Sequence, residues 1–139
     1  METFIYKQNE IKKLFTNYTT PEARYEKIIQ LGRSASTFPS SQKIPSNLVS
    51  GCQSLLYLHT TLTDDGLLKF QVESDALISK GLAVLLTKIY NGEKPETILA
   101  CPPTILDELG IYSALSPNRA NGLQSLYLKM KQAAVKYII

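Results

Sequence analysis

The feature that most constrains the fold is a change of hydrophobic period in the middle of the chain. Along residues 67–73 apolar side chains alternate with polar ones, the pattern of a strand with one buried face. Residues 54–63 are also rich in strand-forming types, and Asp64-Asp65-Gly66 between the two segments is typical of a tight reversal. Residues 76–90 then form a strongly apolar run of helical length. The sequence therefore predicts a β-hairpin followed directly by a buried helix.

Further helices are predicted on both sides of this unit. Apolar residues recur at roughly helical spacing from the N-terminus to Tyr18, which indicates a first helix. Thr20-Pro21 begins a second helix, because a hydroxyl cap followed by a proline suits a helix start, and Gly32 is expected to stop it. Either Ser74 or Asp75 is expected to cap the apolar central helix, which should end at Asn91 and Gly92.

The C-terminal third is also predicted to be helical. Short helical turns are expected over residues 95–99 and 103–109. A long final helix should begin near Ser116-Pro117 or at Asn121, with one buried stripe. The stripe consists of Leu123, Leu126, Met130, Ala134 and Tyr137.

These elements predict an α+β fold with a small antiparallel sheet packed against helices on one side. A third strand is expected just before Cys52 or after the hairpin, since an isolated hairpin is only marginally stable. The 139 residues fit a single domain spanning residues 1–139.

Composition excludes several classes of function. The net charge is +3, and the 15 Lys and Arg residues are spread along the chain, so nucleic-acid binding is disfavoured. No apolar run approaches the length of a membrane span, and no basic stretch followed by an apolar one marks a secretory signal, so the cytosol is the expected location. Nucleotide-binding and calcium-binding fingerprints are lacking, and two cysteines with one histidine are too few for a sulfur-rich metal site. We therefore expect neither a metal nor a resident cofactor.

Cys52 is the candidate for chemistry. It follows a proline- and serine-rich stretch, residues 33–50, that has no regular period and indicates a long loop. Gly51 allows backbone angles closed to other residues, so a turn there can present the cysteine to a partner. The alternative is a small buried hydrophobe, the usual role of a cysteine outside a disulfide and the better interpretation of Cys101. Both cysteines are expected as reduced thiols.

The other polar candidates are ambiguous from local sequence. His59 lies in the middle of a predicted strand, where a structural role is more common than a catalytic one. The group Glu73, Asp75 and Lys80 is typical of a capped helix start with a solvated face. Arg119 is either a surface residue or, if it lies near Cys52, a guanidinium that lowers the thiol pKa and holds a persulfide anion.

Several ordered motifs resemble the SufE family, which includes the CsdE branch. Residues 48–54, with the sequence LVSGCQS, resemble its V-x-G-C-Q-S signature. The resemblance spans about residues 21–130, although Leu55-Leu56-Tyr57 stands where the family often has a tryptophan. The further matching segments are Arg24-Tyr25, Leu31-Gly32, Glu73-Ser74-Asp75-Ala76, Lys80-Gly81-Leu82, Gly92, Pro95, Leu109-Gly110-Ile111 and residues 115–123.

The resemblance implies an α+β domain like the IscU iron–sulfur scaffold and a sulfur-acceptor role. Cys52 would take a persulfide from a SufS-type cysteine desulfurase, whose pyridoxal phosphate belongs to that partner, and would pass the sulfur on for iron–sulfur cluster assembly. The supporting positions that it implies are Gly51, Gln53, Glu73, Asp75, Lys80 and Arg119. A scaffold role is disfavoured, because the scaffold uses three cysteine ligands and this chain has two cysteines.

A persulfide must be shielded from solvent and yet reach its partner, so we expect a loop that buries Cys52 at rest and exposes it on docking. Two other functions compete with sulfur acceptance. A docking activator would stimulate a desulfurase without Cys52 chemistry. A thiol hydrolase would pair Cys52 with His59, although no third orienting group is evident.

Overall fold

A computed structural model describes residues 2–52 and 54–138 and confirms the predicted α+β class. Two short 3₁₀ turns, Ser40–Gln42 and Pro45–Asn47, interrupt the predicted loop between the second helix and the first strand. The helices and strands in chain order are α1 (Glu2–Leu14), α2 (Pro21–Arg33), β1 (Leu56–Leu62), β2 (Leu68–Ser74), α3 (Leu77–Tyr90), α4 (Pro95–Ala100), α5 (Thr104–Glu108), α6 (Ile111–Ala114) and α7 (Pro117–Lys136). No described helix is long and apolar enough to cross a membrane.

The hairpin forms as the sequence predicts. Strands β1 and β2 pair antiparallel, from Leu56 opposite Ser74 to Leu62 opposite Leu68. The turn between them contains Gly66 at a φ of 82°, a left-handed conformation that favours glycine. Along β2 the apolar side chains of the alternating pattern are buried and Lys69 is exposed. One face of the hairpin therefore joins the core.

The prediction of a third strand is wrong for the described residues. The segment before Cys52 reaches β1 through a single bridge, in which the Val49 N–H donates to the Leu56 carbonyl over 2.8 Å. A helical turn at Pro45–Asn47 precedes this contact, and Gly51 reverses the chain just after it, which leaves too few extended residues for a strand. The hairpin is stabilised instead by α3, which packs along β2.

Helix α3 is the centre of the core. It contacts α1, α2, α7 and β2, and Leu85, Leu86 and Ile89 along it are fully buried. Its start differs from the prediction, because the cap is Ala76, which offers no side-chain acceptor. Asp75 is engaged elsewhere, whereas the end at Asn91 is as predicted.

The prediction that Gly32 stops α2 is wrong, because the helix continues to Arg33. It serves a close helix contact instead. A Cβ at Gly32 would lie 2.8 Å from the Gly81 nitrogen of α3, and one at Gly81 would lie 2.0 Å from the Ile28 carbonyl oxygen of α2. Neither distance is sterically allowed, so both glycines are needed for the backbones of α2 and α3 to touch.

Helix α7 begins at the first of the two predicted starts. The Ser116 hydroxyl caps it by accepting from the Arg119 N–H over 3.4 Å. Four members of the predicted stripe are buried, but Tyr137 follows the last helical turn and is 44% exposed. The buried face of α7 packs on α3 and β1, which brings the first turns of α7 next to Cys52.

Candidate functional site

A cavity of about 380 Å³ lies between the start of β1, the first turns of α3 and the first turns of α7. Its apolar lining comes from all three elements, and its polar lining comes mainly from serines and the residues around Arg119. The lining residues are Cys52, Ser54, Leu56, Ala76, Ile78, Ser79, Leu82, Ser116, Asn118, Arg119, Gly122, Leu123 and Leu126. A water molecule in the liquid occupies about 30 Å³, so the cavity has room for a group of several atoms.

Cys52 is a half-buried, free thiol in the lining of this cavity. Gly51 before it has a φ of 85°, which confirms that this position needs a conformation open mainly to glycine. The thiol donates a long hydrogen bond to the Gly122 carbonyl oxygen, with 3.9 Å between the sulfur and the oxygen. Burial raises the pKa of the Cys52 thiol. At neutral pH the thiol form therefore dominates.

Arg119 lines the same cavity as Cys52, which chain spacing alone could not establish. Its guanidinium is exposed and stacks over the Tyr25 ring of α2, with 5.8 Å between Cζ and the ring centroid. The expectation that Arg119 lowers the thiol pKa is not met, because burial raises that pKa. Tyr25 is a contributor to the site that the sequence did not reveal, since it and Arg119 lie near opposite ends of the chain.

Asp75 holds the chain just after Cys52. Its carboxylate accepts from the Leu55 N–H over 3.0 Å, and its own N–H donates to the Leu55 carbonyl over 3.4 Å. The hydroxyls of Ser54 and Ser79 are 3.3 Å apart and join the same segment to α3. Asp75 therefore contacts the backbone of the segment that follows Cys52, and it is not among the described residues that line the cavity. Gln53, the other predicted supporting residue in this segment, lies outside the described residues.

Glu73 and Lys80 form an ion pair with 3.1 Å between Lys80 Nζ and Glu73 Oε1. The pair connects the end of β2 to the first turn of α3, and each side chain remains about a quarter exposed. Neither residue is among the described residues that line the cavity. The structure therefore places Cys52 and Arg119 in the lining of one cavity, and it places the Glu73–Lys80 pair outside that lining.

The comparison with protein families decides the relationship of this chain. The model of the SufE domain, described as an Fe-S metabolism associated domain, matches residues 9–134. The chain belongs to the SufE family. Its role accordingly lies in iron–sulfur metabolism.

Relatives agree with this assignment, and a solved structure shares the fold. The chain is 33% identical over 128 residues to an uncharacterized SufE-like protein of Synechocystis sp., covering 92% of this chain and 80% of that protein. It is 33% identical over 129 residues to the chloroplastic/mitochondrial SufE-like protein 1 of Arabidopsis thaliana, covering 93% of this chain but 35% of that protein. The solution structure of a hypothetical protein from Thermus thermophilus has the same fold, with a TM-score of 0.77 at 22% identity over 95% of this chain and 96% of that one.

His59 does not share the cavity of this SufE-family site. It lines a separate cavity of about 200 Å³ together with Lys129 and Lys136. Its ring packs edge-on against Phe38, with 6.5 Å between the centroids. A hydrolase that pairs His59 with Cys52 has no support in this geometry.

Cys101 is 8% exposed and lies in the core, as predicted for a packing residue. Its carbonyl accepts from the Tyr90 hydroxyl over 2.6 Å and from the Tyr127 hydroxyl over 3.4 Å. Within residues 2–52 and 54–138, no three His, Cys, Asp or Glu side chains are grouped as a metal site would require.

Proposed function

We propose that this protein accepts sulfane sulfur from a SufS-type cysteine desulfurase as a persulfide on Cys52. In doing so it stimulates the desulfurase, and it then passes the sulfur on for iron–sulfur cluster assembly. The observation that carries the proposal is the Cys52 thiol in a cavity of about 380 Å³, in a chain of the SufE family. The pyridoxal phosphate of the reaction belongs to the desulfurase.

The proposed transfer is an exchange of one S–S bond for another. The Cys52 thiol loses its proton, and the thiolate attacks the outer sulfur of the partner's cysteine persulfide. A bond forms between Cys52 Sγ and that sulfur while the S–S bond of the partner breaks, and the partner's cysteine leaves as a thiolate. Since one S–S bond replaces another, no external oxidant or reductant is consumed.

Burial of Cys52 suits the resting and the loaded states better than the reaction itself. Partial burial limits the access of the reductants and oxidants that destroy an exposed persulfide. The same burial raises the pKa of the thiol and so reduces the fraction of the reactive thiolate. We infer that docking moves residues 50–52 outward, because Gly51 gives this segment backbone freedom and no helix or strand contains Cys52. Equal protection of these amides from hydrogen exchange, with and without the desulfurase, would contradict this.

Intact-protein mass spectrometry with peptide mapping tests the proposal. After incubation with cysteine and a SufS-type desulfurase, we expect added sulfur on the Cys52 peptide that a reductant removes. The Cys52→Ser variant should gain none, and the buried Cys101 supplies an internal control in the wild-type chain. Faster desulfurase turnover without added sulfur, retained in Cys52→Ser, would identify a docking activator instead. If sulfur is not added and desulfurase turnover does not rise, both functions are refuted.

A further inference from the structure

Gly122 is in direct contact with the Cys52 thiol. A Cβ at this glycine would lie 3.2 Å from Cys52 Sγ and 4.0 Å from Cys52 Cβ, and the thiol donates to the Gly122 carbonyl. The first of these distances is shorter than ordinary van der Waals contact between carbon and sulfur. Any other residue at position 122 would therefore crowd the thiol, and Cys52 would have to shift by a few tenths of an ångström to make room.

The helix itself gives no reason for a glycine at this position. Gly122 lies inside α7 and does not have a positive φ, so any residue could adopt its backbone conformation. A glycine in a helix interior costs about 1 kcal/mol relative to alanine. What the missing Cβ provides here is room for Cys52.

We propose that Gly122 leaves the space in which the resting Cys52 thiol lies, and we call this contact the seat of the thiol. Gly122 is thereby a positioning residue that sets the reactivity of Cys52. A side chain at position 122 pushes the sulfur out of the cavity and towards solvent. The contact stands on geometry alone, and its importance for sulfur transfer rests on the proposed function.

A side chain at position 122 should displace the loop around Cys52 and leave α7 in place. Leu123 and Leu126, in the helical turn that follows Gly122, are buried in the core at 4% and 0% exposure, and Tyr127 donates to the Ile98 carbonyl over 3.0 Å. Gly51, next to Cys52, is exposed and belongs to no helix or strand. The contacts of Asp75 with Leu55 limit the displacement to the few residues around Cys52.

The test is the pH–rate profile of iodoacetamide alkylation, resolved by peptide mapping, in Gly122→Ala and Gly122→Val. We expect Cys52 to react faster near pH 7, on the order of threefold in the alanine variant and more in the valine variant, with the profile midpoint lowered as burial is relieved. Asn121→Ala is the matched control, because Asn121 is exposed, adjacent and outside the cavity lining. Its profile should equal that of the wild-type chain.

Cys101 separates a positioning role from general loosening. Its alkylation should stay slow in both Gly122 variants, since Cys101 is buried away from the substitution. Unchanged or slower alkylation of Cys52, or an equal acceleration of both cysteines, would overturn the proposal. If a Gly122 variant fails to fold, the same substitution is made in a Cys52→Ala background. Recovery of folding there supports the seat, and failure to recover refutes it.

Alkylation needs no desulfurase, so this result is independent of sulfur acceptance. One outcome is that the wild-type chain gains no sulfur while the Gly122 substitutions change the alkylation profile of Cys52 as expected. That result would support the positioning role of Gly122 and refute the proposed function. If sulfur is accepted, a reductant should remove the Cys52 persulfide faster in the Gly122→Ala variant than in the wild-type chain.

Discussion

At the residue scale, the site combines a sheltered thiol with an exposed cation. The Cys52 sulfur faces apolar side chains and a backbone carbonyl, while Arg119 at the same cavity remains in contact with solvent. Burial raises the pKa of the thiol, and the charge of an exposed side chain is strongly screened by water. Under the proposed function, the guanidinium meets an anion that a partner brings and does not activate the resting cysteine.

The raised pKa predicts the pH dependence of Cys52 reactivity. Burial disfavours the thiolate, so the folded chain should reach half-maximal alkylation at a higher pH than the urea-unfolded chain. Near neutral pH the folded chain should react more slowly, and the difference should narrow once both forms are deprotonated. Iodoacetamide rates measured against pH in both states check this. A lower midpoint in the folded chain would mean that charge, rather than burial, dominates the site.

Arg119→Ala should impair sulfur transfer without changing the intrinsic reactivity of Cys52. We expect transfer from a desulfurase to slow on the order of tenfold, because a charge-assisted contact to the anion is lost. Alkylation by neutral iodoacetamide should change little. Tyr25→Leu, which removes the ring beneath the guanidinium, should give an intermediate loss. Arg33→Ala removes an equal charge at an exposed position outside the cavity lining and should leave transfer unchanged.

At the scale of elements, the contact between α2 and α3 positions the site. The paired glycines at 32 and 81 bring the two helix backbones together, and this places Tyr25 of α2 beneath Arg119 of α7. Arg24 strengthens the arrangement by donating to the carbonyls of Tyr18 and Leu109, over 2.9 and 3.1 Å. The position of Arg119 in the cavity lining thus depends on the packing of α2 against α3.

Gly81→Ala should therefore be strongly destabilising. The added Cβ would overlap the Ile28 carbonyl oxygen at 2.0 Å, and backbone atoms cannot move aside as a flexible side chain can. We expect a loss of about 3 kcal/mol or more in the free energy of unfolding, measured with urea. Gly66→Ala is the control, because a Cβ there meets no atom within 4 Å and the cost comes from its positive φ alone. That cost should be about 1–2 kcal/mol, and a similar loss in both variants would contradict the close contact.

At the scale of the whole molecule, α1 is fastened to the side of the core that does not form the cavity. Glu93, only 2% exposed, pairs with Lys7 and accepts from the Thr3 hydroxyl over 2.8 Å. The Glu93 backbone also bridges to Leu68 of β2, so one residue joins the N-terminal helix to the sheet. Neither α1 nor Glu93 contributes to the described lining around Cys52.

Lys7→Met should lower stability and leave the site unchanged. It removes the cation beside a buried carboxylate, and the expected loss is about 1–3 kcal/mol in urea unfolding. Lys13→Met, which breaks the exposed pair with Glu10, should cost less than about 0.5 kcal/mol. The pH–rate profile of Cys52 should be unaffected in both folded variants. A shifted profile in Lys7→Met would show that α1 influences the cavity.

The sequence by itself determined the elements whose signals are local. The alternation along residues 67–73, the Asp-Asp-Gly turn and the apolar run of α3 depend on periods that a chain segment shows without its neighbours. Cys52 and Gly51 were identified by a short contiguous motif, and the need for a special backbone angle at Gly51 is likewise local. Local signals failed where two uses of a residue compete. Gly32 can end a helix or permit a close contact, and Asp75 can cap a helix or hold a neighbouring strand.

Only the tertiary structure decided which distant residues share the cavity. Arg119 meets Tyr25, and Gly122 meets Cys52, because α2 and α7 both pack against α3. Such meetings depend on helix crossing and on which side chains are absent, and spacing along the chain encodes neither. The same packing decides that the Cys52 thiol is half-buried and that its pKa rises, because desolvation is a property of the assembled surroundings.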